Sequence, residues 1–233
     1  MLIELGGRRI EYRFGRRRRR TLGITVDEGG LRVVAPLRAS RRDVEAFLRD
    51  RQRWILAKLD GWARVPRPPV LHCMTGESLP VFGAPHVLDV RQGRRDVEQQ
   101  QSTLVVWAPR RSRPADVLLS WLKRKALEFL RPRTAHYTCR LGLPQPRVTL
   151  SNARTQWGVC NEDGAIRLSW RLVHLEPVLA DYVVAHEVAH LVELNHSKRF
   201  WSLVARLYPG WSDARERLEL AGASLPILLR GKT

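Results

Sequence analysis

The sequence predicts an α+β fold in which strand-rich segments are joined by a few long helices. Short runs of alternating or β-branched residues, separated by glycines, indicate strands. Elsewhere apolar residues recur at spacings of three, four and seven, which indicates amphipathic helices. With 233 residues, 44% hydrophobic and 27% charged, the chain has the composition of a globular protein with one large or two small domains.

The first third of the chain is expected to form short strands and then one long helix. The strand-like runs lie at residues 8–14, 22–26 and 31–35. Ser40, followed three residues later by Asp43, is a capping-box pattern that begins a helix. Prolines between residues 64 and 70 end this helix. Its apolar face would consist of Val44, Phe47, Leu48, Ile55, Leu59 and Trp62.

The rest of the chain alternates between strands and longer helices. Strands are predicted at residues 79–82, 87–90, 104–107, 147–150, 155–159 and 165–170. Helices are predicted at residues 114–140, 177–194, 197–208 and 212–220. The polar segment 91–102 is expected to be a loop, and residues 161–164 have the composition of a hairpin turn.

Positive charge is concentrated at the amino-terminal end. The net charge is +18, from 41 basic and 23 acidic residues, and a chain this basic attracts polyanions. Residues 1–68 carry +10, residues 69–111 carry +1 and residues 112–233 carry +7. We expect a basic region over 1–111 and a second domain over 112–233. The run Arg16–Arg20 is expected to form a solvated hairpin loop, with nucleic-acid contact as the alternative.

Cysteine usage and hydropathy indicate the compartment. The three cysteines are odd in number and far apart, which argues against a disulfide framework and favours a reducing compartment. The first twelve residues contain no apolar run of signal-peptide length. The most apolar long stretch, 177–194, is interrupted by charged and histidine residues that a bilayer would exclude. These features predict a cytoplasmic protein without a membrane partner.

One segment has the spacing of a metal site. His186, Glu187 and His190 form the pattern H-E-x-x-H within a predicted helix. Residues four apart lie about 40° apart around a helix and one turn apart along it, so two imidazoles can reach one ion. Neutral imidazoles are common ligands of catalytic zinc, which keeps one position open for water or substrate. Glu187 projects beside this face, where it can hold that water.

A third ligand is required, and His196 is the candidate. On a straight continuous helix it would point about 80° away from His186, roughly 9 Å above His190. It reaches the ion only if the chain turns back, for example with Asn195 in a left-handed conformation. A purely structural zinc would usually have four protein ligands. Cys160 could supply a fourth, although a role as a small buried apolar residue is favoured.

The segments around this motif carry a resemblance to a known family. They are Arg154–Cys160, Leu168–Leu172, Asp181–Ala185, Asn195–Ser197, Phe200–Trp201, and the shorter stretches ending at Leu22 and Ile55. Together they resemble the YgjP-like metallopeptidases, small bacterial zincins related to the WLM and SprT-like families. The resemblance covers most of the chain and is densest from Arg154 to Trp201. One departure is Val159, where the family more often has serine.

The resemblance implies a minimal zincin domain preceded by a basic, strand-rich region with one long helix. It also implies one Zn²⁺ ion per chain held by His186, His190 and His196. Glu187 would be the general base that activates the zinc-bound water for hydrolysis of peptide bonds. The substrate would be a peptide or protein. An alternative is a nucleic-acid-binding module whose zinc site is vestigial, but such a structural zinc has no use for Glu187. A protease that acts on nucleic-acid-bound proteins would combine peptidase activity with nucleic-acid binding.

The resemblance also implies a substrate cleft. Zincins generally hold an extended peptide on the free edge of a strand, and Arg167–Trp170 is the candidate edge. Trp157 and Trp201 would form walls of the active site, and Arg154 and Tyr182 could assist the oxyanion. The residues expected to bind substrate are Arg154, Trp157, Ser169 and Trp170.

Overall fold

The computed structural model describes residues 1–27, 29–64, 68–154 and 156–229. Contacts between Cα atoms divide the chain into two compact units, Met1–Arg67 and Pro68–Thr233, here called unit 1 and unit 2. Helices and several small sheets occur together, which confirms the predicted α+β class. The expected boundary after residue 111 stays a prediction. In the described part of the chain, no helix is both long and apolar enough to cross a bilayer.

The described residues of unit 1 form a four-stranded sheet followed by two helices. Its strands are β1 (Leu2–Leu5), β2 (Arg8–Arg17), β3 (Gly23–Asp27) and β4 (Gly30–Pro36). Their order is β1-β2-β4-β3, in which β2 and β4 are parallel and the other pairs antiparallel. Alternate residues of these strands form the core with residues from the helices: Ile3, Leu5, Ile10, Tyr12, Leu31, Val33, Ala35, Val44, Leu48 and Ile55.

Two features of unit 1 differ from expectation. The single predicted helix is divided at Arg51 into α1 (Arg41–Asp50) and α2 (Gln52–Arg64), although the predicted capping box at Ser40 is present. The hairpin expected around Arg16–Arg20 is wrong. Since β4 lies between β2 and β3, the arginine run begins in β2 and continues into a connection that crosses β4.

The described residues of unit 2 form three small sheets. The first five strands of unit 2 are β5 (Val70–Leu71), β6 (Ser78–Val81), β7 (Ala84–Gln92), β8 (Asp96–Gln100) and β9 (Thr103–Ala108). Later strands are β10 (Val148–Ser151), β11 (Gly158–Cys160), β12 (Ile166–Ser169) and β13 (Ile227–Leu228). The sheets have the orders β6-β7-β9-β8, β10-β12-β11 and β13-β5. Strand β8 lies within the segment expected to be a loop, because its polar side chains suit the edge of the first sheet.

The helices of unit 2 largely follow the predicted pattern. They are α3 (Pro114–Arg140), a 3₁₀ helix (Trp170–His174), α4 (Pro177–Ala189), α5 (Lys198–Leu207) and α6 (Trp211–Ala223). Helix α3 continues through Pro132, and the predicted turn at residues 161–164 connects β11 to β12. Two predicted bounds are wrong: α4 ends at Ala189 rather than near Leu194, and α6 is capped at Gly210, so that Ser212 lies inside the helix.

Helix α4 lies at the centre of unit 2. It packs against α3, α5, α6 and β11, and its residues from Leu179 to Ala185 are all buried. A helix that is apolar on all sides is stable only in such a position. The buried carboxylate of Asp181 is paired with Arg133 of α3 through two hydrogen bonds of 2.6 and 2.7 Å, and Tyr137 donates a third of 2.8 Å. These bonds attach α4 to α3 just before the histidine motif.

Candidate metal centre

The helical spacing places two imidazoles of α4 side by side. The ring centroids of His186 and His190 lie 5.0 Å apart. Nδ1 of His190 lies 3.1 Å from the carbonyl oxygen of Glu193. Because a carbonyl only accepts, Nδ1 carries the proton and Nε2 of His190 is left with its lone pair free for a metal ion.

The third imidazole reaches the same point because the chain reverses early. The amides of Leu191 and Val192 donate to the carbonyls three residues before them, which ends α4 in a tight turn. His196 returns so that its Nε2 lies 3.1 Å from Nε2 of His186. The predicted turn-back is therefore present, but its expected mechanism is wrong. Among described non-glycine residues, only Cys73, Phe82 and Gln101 have positive φ, so Asn195 is not left-handed.

The arrangement fits one metal ion. One potential ligand atom from each of His186, His190 and His196 lies within 4.8 Å of the others. Two nitrogens bound to one tetrahedral zinc at 2.0–2.1 Å would be about 3.3 Å apart, close to the observed separation of the Nε2 pair. Buried Nδ1 of His186 has no hydrogen-bond partner among the residues that the structure describes. Sequence spacing alone could not show this convergence, because it depends on the turn after Ala189.

A phenylalanine holds the three rings together. Phe200 is fully buried, and its centroid lies 4.9, 4.4 and 4.7 Å from those of His186, His190 and His196. Ser197 caps α5 by accepting from the amide of Phe200, as its predicted N-cap position requires. The beginning of α5 therefore fixes both the third imidazole and the ring that packs beneath all three.

Glu187 lies beside this cluster under β11. Only 6% of the residue is exposed, and burial raises the pKa of its carboxyl group to about 7, although the amide of Cys160 donates to it and opposes the shift. At Gly158 an added Cβ would lie only 2.4 Å from Cγ of Glu187. The glycine at this position therefore leaves the space that the glutamate side chain occupies. The sequence contained this glycine within a family motif but gave no indication of that contact.

Burial also acts on the histidines of α4. It lowers the pKa of His186 to about 3, with smaller contributions from His190, His196 and Arg215, and it lowers the pKa of His190. Both rings are consequently neutral near pH 7. A neutral imidazole is the form that binds a metal ion.

The expected peptide-binding edge at Arg167–Trp170 is wrong. Strand β12 lies in the middle of its sheet, parallel to β10 on one side and antiparallel to β11 on the other. Its backbone hydrogen bonds are used by both neighbours, so this strand has no free edge. The strand that contacts α4 at the glutamate is β11, which pairs on one side with β12.

Ser169 and Trp170 are buried at the end of β12. The hydroxyl of Ser169 donates to the carbonyl of Ala153, which also accepts from Arg171. Ser169 and Arg171 thus both hold the loop that precedes β11. The expected contact of Ser169 and Trp170 with substrate stays a prediction.

Arg154 and Trp157 lie in that supported loop. Arg154 is exposed, whereas Trp157 is partly buried and approaches α6, where a Cβ added to Gly222 would lie 2.6 Å from the indole. Tyr182 is buried, with its ring 6.0 Å from that of His186 and 5.9 Å from that of Tyr208. Their expected roles in binding substrate or the oxyanion stay predictions.

Two residues of α6, Trp211 and Arg215, contact Trp201 and were missed by sequence reasoning, whereas the expected role of Trp201 as a wall of the active site stays a prediction. Trp201 stacks on His196 at 5.6 Å, and Trp211 stacks on Trp201 at 4.5 Å. Arg215, one turn after Trp211, places its guanidinium over Trp201 at 5.1 Å from the ring centroid. The sequence placed Arg215 in the predicted helix 212–220, with Trp211 just before it, and this position does not reveal the partner ring.

Three imidazoles that converge beside a buried glutamate, on an α+β scaffold, form the arrangement of metal-dependent peptidases. A family model described as the YgjP-like metallopeptidase domain matches residues 20–221, and the chain belongs to this family. The crystal structure of the metallopeptidase zymogen abylysin from Pyrococcus abyssi is 23% identical, with a TM-score of 0.38. The match covers 42% of this chain and 99% of that chain. No curated protein matches the chain significantly.

Gly158→Ala is expected to destabilise the protein by about 1–3 kcal/mol, because the new methyl group overlaps the side chain of Glu187. In a Glu187→Ala background the overlap is gone, and the cost should fall below about 1 kcal/mol. Urea unfolding of the four proteins in this cycle, followed by tryptophan fluorescence, measures the difference.

Gly15→Ala is the control for the glycine substitution itself. A Cβ at Gly15 meets no atom within 4 Å, so the free energy of unfolding should change by less than about 0.5 kcal/mol. An equal cost of Gly158→Ala in both backgrounds would show that the glycine does not make room for Glu187.

Proposed function

We propose that this metallopeptidase-family protein is a cytoplasmic zinc enzyme that hydrolyses peptide bonds in peptides or proteins, with one zinc ion per chain. The observation that carries the proposal is the convergence of three imidazoles beside the buried carboxylate of Glu187. The nature of the donors favours zinc, because magnesium and calcium prefer oxygen ligands. Three protein ligands, rather than four, are typical of a catalytic site.

His186, His190 and His196 would hold the ion. Zinc supplies a Lewis acid that polarises a carbonyl and lowers the pKa of water toward neutrality. Glu187 would take a proton from the attacking water and pass it to the leaving amine. The amide of Cys160 orients the carboxylate, and Gly158 gives it space.

Strand β11 is the proposed site for the substrate backbone. It begins beside Trp157 and passes over Glu187, and its pairing with β12 uses one of its two edges. An extended peptide could add to the other edge through main-chain hydrogen bonds. This placement replaces Arg167–Trp170 as the peptide-binding strand and brings the scissile bond to the glutamate.

Glu187→Gln is expected to lower the peptidase rate by at least 10²–10⁴-fold, because the amide keeps the size of the side chain but cannot accept the proton. Zinc content should stay near one ion per chain, since Glu187 is not a proposed ligand. Cleavage of an unfolded protein substrate, with and without chelator, gives the rate. Cleavage at the wild-type rate would contradict the mechanism.

His196→Ala should bind zinc far more weakly than the wild-type protein, because two imidazoles from one helix form a poor site. Zinc retained after dialysis against a mild chelator, measured by atomic absorption, reports the affinity. His136→Ala is the matched control, since this histidine lies on α3 outside the three-histidine group. Stoichiometric zinc in His196→Ala would show that His196 is not a ligand.

A second candidate function is nucleic-acid contact by unit 1. Arg16 to Arg20 are all exposed, and none of the ion pairs found within residues 1–27 and 29–64 involves them. We propose that this run binds phosphates, which would bring the peptidase to proteins on nucleic acid. The proposal is independent of the zinc chemistry.

Replacing Arg16–Arg20 with serine is expected to lower the slope of log affinity against log salt by several units, because each phosphate contact contributes about 0.9. Titration of a labelled DNA duplex at several salt concentrations measures this slope. The control removes the same charge from the helices by substituting glutamine for Arg41, Arg42, Arg49, Arg51 and Arg53. An unchanged slope, or an equal change in the control, would remove the arginine run from the binding surface.

A further inference from the structure

Arg215 of α6 lies over the ring of Trp201, and no ion pair of Arg215 is found among the residues described in unit 2. Its guanidinium is held over Trp201, and Trp201 in turn stacks on the proposed ligand His196 and lies 5.8 Å from His186. Among the residues described in unit 2, the ion pairs of α6 are those that Arg217 makes with Glu176 and Asp213.

The contact with Trp201 limits the directions in which the guanidinium of Arg215 can donate hydrogen bonds. A guanidinium that lies over an aromatic face keeps its N–H groups directed outward from the ring, and their planar arrangement matches a carboxylate. Trp211 stacks on Trp201 as well and limits the movement of the indole. Only two ring contacts separate Arg215 from the His186–His196 pair, so a substrate held at these histidines would bring its neighbouring side chain close to this charge.

We propose that Arg215 selects substrates that carry a carboxylate next to the bond to be cleaved, and that Trp201 positions it for this contact. The inference rests on the proposed peptidase function, because it assigns substrate specificity to the same site. The carboxylate could belong to an acidic side chain or to the carboxyl terminus of a peptide. Both would accept paired hydrogen bonds from the guanidinium.

The test measures binding rather than turnover, using the zinc-loaded Glu187→Gln protein. Six-residue peptides with a single glutamate moved through the sequence are compared with their glutamine counterparts, each with a free and an amidated carboxyl terminus. Isothermal titration calorimetry should show about tenfold tighter binding for a glutamate at one position or for the free terminus. In the Arg215→Gln background this difference should disappear, and Arg215→Lys should restore part of it.

Arg206→Gln is the matched control, because it removes one exposed positive charge from the neighbouring helix α5. It should leave the preference unchanged. A preference of equal size with and without Arg215, or no preference for a carboxylate in the protein that keeps Arg215, would overturn the proposal. Absence of chelator-sensitive cleavage by the wild-type protein would instead contradict the proposed function, while a preference that depends on Arg215 would still stand.

Discussion

The proposed metal centre depends on the burial of α4. A helix that presents apolar residues on every side must be enclosed, and α3, α5, α6 and β11 enclose it. The carboxylate of Asp181 would be costly in such a place without partners, and Arg133 and Tyr137 supply them. The same enclosure leaves Glu187 nearly without solvent and keeps His186 neutral. Packing that stabilises unit 2 therefore also sets the chemistry of the site.

The proposed metal centre also requires that α4 end early, at Ala189. Two imidazoles four residues apart need only a helix, whereas His196 must return to them from outside it. The turn after Ala189, the N-cap at Ser197 and the buried ring of Phe200 act in sequence to bring it back. Phe200 contacts all three imidazoles, so the position of the third ring is coupled to the packing of α5.

Strand β11 and helix α6 bring different chemical groups to the site. Strand β11 offers backbone and, at Gly158, the space for the proposed base. Helix α6 offers aromatic rings and the guanidinium of Arg215. Backbone hydrogen bonding is indifferent to substrate sequence, while a fixed charge is not. On the proposed function, the base would thus depend on β11 and the selectivity on Arg215 of α6.

The sequence by itself determined the features that depend only on local hydrogen bonds and on residue spacing. The caps at Ser40 and Ser197 and the spacing of His186 and His190 each depend on a few neighbouring residues, and each was predictable. The end of α4, the central position of β12 and the stack of Arg215 on Trp201 were decided only by the tertiary structure. Whether a strand is central or at an edge depends on which distant segments pair with it, and α4 ends where the chain leaves the core, since Val192 and Leu194 beyond it are exposed.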